Sequence, residues 1–393
     1  MSGENDVEQD RPRRVALATI GKEWLRLGCI GFGGPPTHIA MLRRTCVDER
    51  HWIADDDFEH GIAATNVLPG PASTQLAIYC AWRLRRPAGA LVGGLAFILP
   101  GLVAIIALAV LFLQANPPRW VEGLAAGAGA AVAAVAVNAG AGLAPASWRR
   151  AVGSARRARW VLYLVAGGAA AALLGPFLVL VLVACGAIEV LARRPPTALG
   201  SWPGPLVALA VTSSVGGLWA LVWVALKVGA LSFGGGFVIV PLMQADAVHH
   251  YHWMTSGQFL DAVALGQITP GPVVQTVAVV GYAAAGVGGA ILAAGVAFAP
   301  SFAFILAGGP HFDRLRQRPG VQAFLAGAGP AAIGAILGSA IPLGLALGHL
   351  WQVPVLALAA VWLLALRRGP VAALGGAALI GLVVALAGGP VSG

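Results

Sequence analysis

Charge is scarce in this sequence. Lys and Arg number 25 and Asp and Glu 16 in 393 residues, so 10% of positions are charged, 58% are hydrophobic and the mean hydropathy is +0.80. That balance excludes an ordinary soluble domain and points to a polytopic membrane protein, long enough for roughly ten crossings of about 20 residues each. Cysteine is scarce too. Cys29, Cys46, Cys80 and Cys185 lie far apart without a CxxC pair, three in apolar surroundings and Cys46 in a polar loop. They read as small packing residues rather than as a disulfide or metal framework. The phosphate-binding pattern GxxxxGK[ST] is absent. No nucleophile with a base, and no ligand set, falls at membrane depth, so the sequence calls for no enzyme chemistry, cofactor or metal. Residues 1–14 lack an apolar core, which predicts a disordered cytoplasmic tail and no cleavable signal peptide.

The net charge of +9 does not indicate nucleic acid, because the arginines sit in short clusters between apolar runs. Such clusters are topology signals that mark the cytoplasmic side.

What the chain does have, it has twice. One copy runs from Gly28-Cys29-Ile30-Gly31-Phe32-Gly33-Gly34-Pro35 through Trp52 to Pro69-Gly70-Pro71, the other from Gly229-Ala230-Leu231-Ser232-Phe233-Gly234-Gly235-Gly236 through Trp253 to Pro270-Gly271-Pro272. Phe32 and Phe233, Trp52 and Trp253, Phe58 and Phe259, and Pro69 and Pro270 are each 201 residues apart, so the copies align without a gap. This is an internal duplication. Each copy sets two helix-breaking sites within apolar sequence, a recognised pointer to a transporter's substrate site.

In chain order, Val15 to Leu27 carries Lys22, Glu23 and Arg26 and reads as an interfacial amphipathic helix. Arg43 to Asp57 reads as a polar loop. Residues 58–82 are split by Pro69-Gly70-Pro71 and flanked by arginine on both sides, which predicts a re-entrant hairpin reaching mid-membrane. Ala88 to Leu113 then spans outward and Val121 to Leu143 returns, while Trp160 to Leu191 predicts two short tilted helices turning near Gly175-Pro176. Leu206 to Leu226 is one further crossing, which inverts the second copy. Arginine placement agrees: neither 244–258 nor 281–289 contains Lys or Arg, and the second half's cluster falls at Arg314, Arg316 and Arg318. Apolar runs at 291–306, 321–347, 353–366 and 371–387 complete the set.

The predicted fold is therefore an all-α polytopic membrane protein of two inverted-topology repeats, each with broken re-entrant hairpins plus about four transmembrane helices. The expected division is a tail (1–14), a first repeat (15–194), a linker with a connecting helix (195–226) and a second, inverted repeat (227–393).

After each Pro-Gly-Pro a new helix begins, presenting unpaired N–H groups and the positive end of its dipole. Asn66, Ser73, Thr74 and Gln75 flank the first break; Gln267, Gln275 and Thr276 flank the second. With Gly33, Gly34, Gly234 and Gly235 allowing close backbone approach, the two breaks form a neutral but electropositive cradle suited to an anion. Packing kinks and helix-gluing polar residues are the competing reading. Arg26 and Lys227 correspond in the two copies and could each reach an anion, or snorkel to the interface. Arg26, His38 and Asp246 are candidates for gating or proton coupling; His38 has Ile239 as its counterpart. Asp246 and Asp261 otherwise read as solvated loop acids, Glu122 and Glu189 as interfacial groups. His249, His250 and His252 crowd one loop without a ligand-spaced partner.

On these residues the sequence resembles the chromate transporter (CHR) family in its long-chain, two-domain form. The motifs are Phe32-Gly33-Gly34-Pro35 with His38, Trp52, Leu68 to Gln75 and Phe97-Ile98-Leu99-Pro100-Gly101, then Ser232 to Gly236, Trp253, Gln267 to Pro272 and Gly281-Tyr282. The resemblance implies a multi-pass protein of the bacterial inner membrane, its N-terminus cytoplasmic, that exports chromate, with sulfate as the related oxyanion, and confers chromate resistance using the proton-motive force. A sulfate importer, an anion channel and a membrane scaffold remain as alternatives, and a homodimer as an assembly. Asn66 stands where relatives usually have Gln, and Asp246 where Glu is usual.

Overall fold

The structure, a computed structural model, describes residues 15–65, 68, 70–114, 117–173, 178–193, 217–232, 239–308 and 318–391. The described residues contain helices and no strand. The first half holds α1 (Leu17–Ile30), α2 (Pro35–Arg43) running into a π-helical turn (Arg44–Glu49), α3 (Asp55–Thr65), α4 (Ala72–Phe112), α5 (Arg119–Arg150), α6 (Ser154–Leu173) and α7 (Leu178–Arg193). The second holds α8 (Leu218–Leu231), α9 (Ile239–Gln244) with its π-helical turn (Ala245–His250), α10 (Ser256–Ile268), a 3₁₀ turn (Val273–Gln275) leading into α11 (Thr276–Gly308), α12 (Pro319–Leu345), α13 (Gln352–Ala360) with a π-helical end (Val361–Ala365), and α14 (Pro370–Leu386). Four helical stretches, 72–112, 119–150, 273–307 and 319–345, are long and apolar enough to cross a bilayer, as a multi-pass membrane protein requires.

The duplication reaches down to backbone angles. α1 and α8 occupy equivalent positions, so the helix beginning at Leu218 is the second copy's α1; the part of the expected crossing between 206 and 216 lies outside the described residues. The segment read as a polar loop, 43–57, and its counterpart 244–258 are largely helical instead, because each buries a side chain row that includes Thr45 and Cys46 or Asp246 and Ala247. Each π turn ends on a left-handed histidine, His51 (φ 49°) or His252 (φ 53°). Each is closed by a tryptophan amide, Trp52 N–H to Cys46 O or Trp253 N–H to Ala247 O, both at 2.8 Å.

α4 is not a single rod. Arg85 and Arg86 leave helical geometry, Arg86 at φ 52°, and the chain folds back on itself. Gly89 and Gly93 then lie against Ala81, where a Cβ would come within 2.2 Å of its carbonyl oxygen and 2.4 Å of its Cβ, and Gly94 lies against Ile78. α11 repeats the reversal at Ala285 and Gly286 (φ 61°), with Gly281 and Gly289 in backbone contact. The equivalent kinks, and the prolines Pro100 and Pro300, are 200 residues apart rather than 201. One residue is thus missing from the second copy just past its Pro-Gly-Pro, where the 3₁₀ turn replaces the direct start of α4.

The halves exchange helices. α5 packs against α13 and α14, and α12 packs reciprocally against α6 and α7. Small residues make this possible: a Cβ on Gly127 would lie 2.2 Å from Ala377 O, and one on the equivalent Gly327 2.2 Å from Cys185 O. Without a hydrophobic drive between helices in lipid, backbone contact of this kind supplies the dispersion energy of association.

Other expectations change. α1 buries Ile20, Trp24 and Leu27 and packs against α4, with Trp24 Nε1 donating to Ala77 O at 2.8 Å. Its apolar face is therefore covered by protein. Cys46 is buried in the first π turn beside Cys80 rather than in a polar loop. Glu189 is buried, not interfacial: Arg159 Nε and Arg193 Nε each lie 2.7 Å from its carboxylate, and Tyr163 Oη donates to it at 3.2 Å. Two guanidinium partners offset the desolvation of one carboxylate. Asp261 lies within α10 rather than in a loop.

Candidate functional site

The first break follows α1. Gly33 (φ 98°) and Gly34 (φ 76°) take left-handed angles that turn the chain into α2, which opens with Pro35 and Pro36. His38, one turn into α2, is fully buried. Its Nε2 lies 2.8 Å from Gly31 O, its Nδ1 3.2 Å from Ser73 Oγ, and its ring stands edge-on to Phe97 at 5.1 Å. A carbonyl only accepts, so the neutral imidazole donates through Nε2 and receives the Ser73 hydroxyl proton at Nδ1. His38 thereby ties the glycine break to the helix that leaves the first Pro-Gly-Pro.

Gly31 O accepts a second bond, from Gly271 N–H of the other repeat at 2.8 Å. Beside it, Gln275 Nε2 donates to Ile98 O at 2.8 Å, and Gly101 lies so close to the Pro270 carbonyl that a Cβ would be 2.0 Å from its oxygen. The reciprocal contact is present. Gly70 (φ 123°) faces Ser301, the equivalent of Gly101, whose Oγ is 3.3 Å from where a Gly70 Cβ would sit. Each Pro-Gly-Pro break therefore lies against the long second arm of the opposite repeat, at Pro300-Ser301 or Pro100-Gly101.

Polar atoms are stranded around this junction. Thr74 Oγ1, Ser232 Oγ, Gln267 Nε2, Gln275 Oε1 and Ser301 Oγ are buried and have no hydrogen-bond partner among the described residues. Buried polar groups are nearly always paired, and each one that is not calls for an explanation. At the first break α4 begins directly after Pro71, which provides no side-chain cap, and the first helical bond is Gln75 N–H to Pro71 O at 3.0 Å. The amides of Ala72, Ser73 and Thr74 lie ahead of it.

The remaining sequence candidates divide. Gln75 folds back on Gly70, and the Thr276 hydroxyl is spent on Val273 O at 2.8 Å. Pro272 caps the 3₁₀ turn that Gln275 closes. Lys227 and Asp246 are both buried and paired with each other, Nζ to Oδ2 at 2.6 Å, so Asp246 is no solvated loop acid. Arg26 is half-exposed and paired with Glu23 at 3.2 Å. Asn66, Pro69, Gly234 and Gly235 lie outside the described residues. Sequence reasoning missed Ser301 and Gly31. Ser301 was concealed because the spacing of 201 pairs it with the wrong residue; the Pro100 to Pro300 spacing reveals it. An apolar groove between α13 and α14, lined by Val355, Trp362 and Ile380 among others, takes no part in the junction.

Comparison with known proteins agrees with the motifs. The profile described as "Chromate transporter" matches residues 18–190 and 219–382. The chromate transport protein of Cupriavidus metallidurans is 35% identical over 92% of this chain and 91% of its own length. The probable chromate transport protein of Synechococcus elongatus is 32% identical over 84% of this chain and 85% of its own, and the chromate transport protein of Pseudomonas aeruginosa 32% over 84% and 82%. No solved structure matches.

Proposed function

Because the chain belongs to the chromate transporter family, a family of transporters and not of enzymes, we propose that it exports chromate from the cytoplasm by alternating access at the paired Pro-Gly-Pro breaks. The observation that carries this reading is that each Pro-Gly-Pro break packs on the opposite repeat, the second through Gly271 N–H to Gly31 O and Gln275 Nε2 to Ile98 O and the first with Gly70 against Ser301, amid buried unpartnered polar atoms. A tetrahedral dianion is matched by helix N-terminal amides and hydroxyls in a neutral, water-poor surrounding.

Helix direction supports inverted repeats. Gly94 lies within contact of the Phe302 ring, yet Phe302 is the equivalent of position 102. In parallel arms these would be offset by about 12 Å at 1.5 Å per residue, beyond a phenylalanine's reach. Opposed arms bring them level. Charge placement supports the same arrangement, since exposed Arg43, Arg44 and Arg83 mark repeat one, whereas 244–258 carries no Lys or Arg. The further division into 15–194 and 227–393, and an N-terminus in the cytoplasm of a bacterial inner membrane, belong to this proposal.

Outward movement needs no nucleotide. With the interior negative, each charge gains about 2.3 kcal/mol per 100 mV, so a departing dianion gains about 4.6 kcal/mol. Flux of radiolabelled chromate and sulfate into everted vesicles, with and without imposed potential and pH gradients, tests the reading. Potential-driven accumulation of chromate is expected; accumulation only in right-side-out vesicles would reverse the direction, and absence of counterflow acceleration would make the protein a channel. Cysteine labelling tests the inversion: residues of 43–57 and 244–258 are expected on opposite faces, and labelling of both from one side overturns it.

A further inference from the structure

Resting on the reading that the breaks hold the oxyanion, we propose that the site is one-sided: chromate is held at the repeat-one break by the Thr74 and Ser301 hydroxyls, and the repeat-two break is the latch that joins the repeats.

Both breaks descend from one ancestral segment, but their hydrogen-bond capacity is no longer the same. At the repeat-two break the Gly271 amide and two side-chain donors are already committed, and two amides, of Val273 and Val274, lie ahead of the first bond against three at the repeat-one break. Gly271 N–H goes to Gly31 O, Gln275 Nε2 to Ile98 O and the Thr276 hydroxyl to Val273 O, each at 2.8 Å. What Gln275 leaves over is Oε1, an acceptor, which repels an anion. The missing residue has also tightened the entry to α11 into a 3₁₀ turn, with Gln275 N–H on Pro272 O at 2.9 Å, and the Pro270 carbonyl is pressed against Gly101. Gln267 Nε2, just ahead of that break, and Ser232 Oγ, at the end of α8, are unpartnered side-chain donors of repeat two.

The repeat-one break is the reverse case. α4 starts as a full α-helix, with three amides ahead of its first bond. Ser73 gives its proton to His38, but Thr74 Oγ1 is fully buried and uncommitted. Ser301 Oγ, equally buried and equally uncommitted, is brought by the other repeat to Gly70, four residues ahead of Thr74 in the same break. A hydroxyl can turn its proton toward an oxyanion, and hydrogen bonds to a charged group are the stronger kind. Ser301 has no counterpart on the other side, because its equivalent is Gly101, whose missing side chain is needed for the approach of Pro270. Thr74 belongs to one repeat and Ser301 to the other, so rocking of the repeats removes a donor from the anion and lets it leave.

The test is equilibrium binding of radiolabelled chromate to the full-length protein in nanodiscs. Ser301→Ala and Thr74→Val are each expected to weaken binding about tenfold or more, the range for a hydrogen bond to a charged group. Ser301→Gly, which copies the residue at Gly101, is expected to match Ser301→Ala, so that misfolding of one variant does not decide the result. Gln267→Leu is expected to weaken binding less than Ser301→Ala. Ser339→Ala, whose hydroxyl is spent on Ile336 O at 2.7 Å within α12, is expected to leave it unchanged. Wild-type affinity in both Ser301 variants, or a larger loss in Gln267→Leu, would overturn the one-sided assignment alone. No chromate binding by the unaltered protein would overturn the transport reading and this assignment with it.

Discussion

The two π-helical turns have the same backbone and opposite surroundings. In repeat one, the turn and α3 carry an exposed ion-pair network: Arg43 with Asp55 and Glu59, Arg44 with Glu49 at 2.7 Å, and Arg83 with Asp57. In repeat two, the corresponding region is nearly free of charge and holds one buried pair, Lys227 with Asp246. Backbone shape is thus set by features common to both copies, the glycine breaks, the closing tryptophan amide and the left-handed histidine. Side-chain charge is free to diverge between the copies.

That comparison can be broken at several points. The largest effect is expected where repeat symmetry depends on backbone contact. Gly101→Ala places a Cβ 2.0 Å from the Pro270 carbonyl, which cannot rotate away, and overpacking costs typically about 1–3 kcal/mol, more against fixed backbone. Loss of the folded monodisperse protein, or more than tenfold loss of chromate flux, is expected; Gly295→Ala in α11, with open space around it, is the matched control.

Next in size is the buried pair. Lys227→Met strands Asp246 and is expected to lower stability by about 3–5 kcal/mol, read as a fall in the thermal midpoint. Lys227→Met with Asp246→Leu is expected to restore most of it. The same change at the equivalent Arg26, which is half-exposed, is expected to cost about 1 kcal/mol or less. Similar costs at both positions would mean that the two environments do not differ.

His38→Ile makes repeat one resemble repeat two at Ile239. Removing the bonds to Gly31 O and Ser73 Oγ is expected to cost about 1–3 kcal/mol. It also frees the Ser73 hydroxyl, so chromate affinity should change more than in His38→Gln. The smallest effect is expected for Arg44→Ala, within about 1 kcal/mol, because its pair with Glu49 is exposed.

Much of this was legible in the sequence, and the failures have physical causes. Proline and glycine act locally, so the breaks and the long apolar runs could be read directly, while the reversals within α4 and α11 show only once Gly89 is seen against Ala81 and Gly289 against Gly281. Asp246 read as a loop acid because an ion pair is visible only when both partners are placed, and Lys227 lies a helix and a break upstream. The loops at 43–57 and 244–258 hid helical turns, since burial of Cys46 or Ala247 depends on neighbours distant in sequence. Helix exchange left no local signal beyond glycines such as Gly127 and Gly327, whose purpose shows only beside Ala377 and Cys185.

The crossed packing of α5 also governs synthesis. Its partner α14 is made about 220 residues after α5 ends, a wait on the order of 10–40 s at about 5–20 residues per second. Until then the glycine-lined groove of α5 stands open in the bilayer. A nascent chain arrested before α13 should accordingly be the form most readily captured by membrane chaperones or degraded, whereas one released after α14 closes on itself.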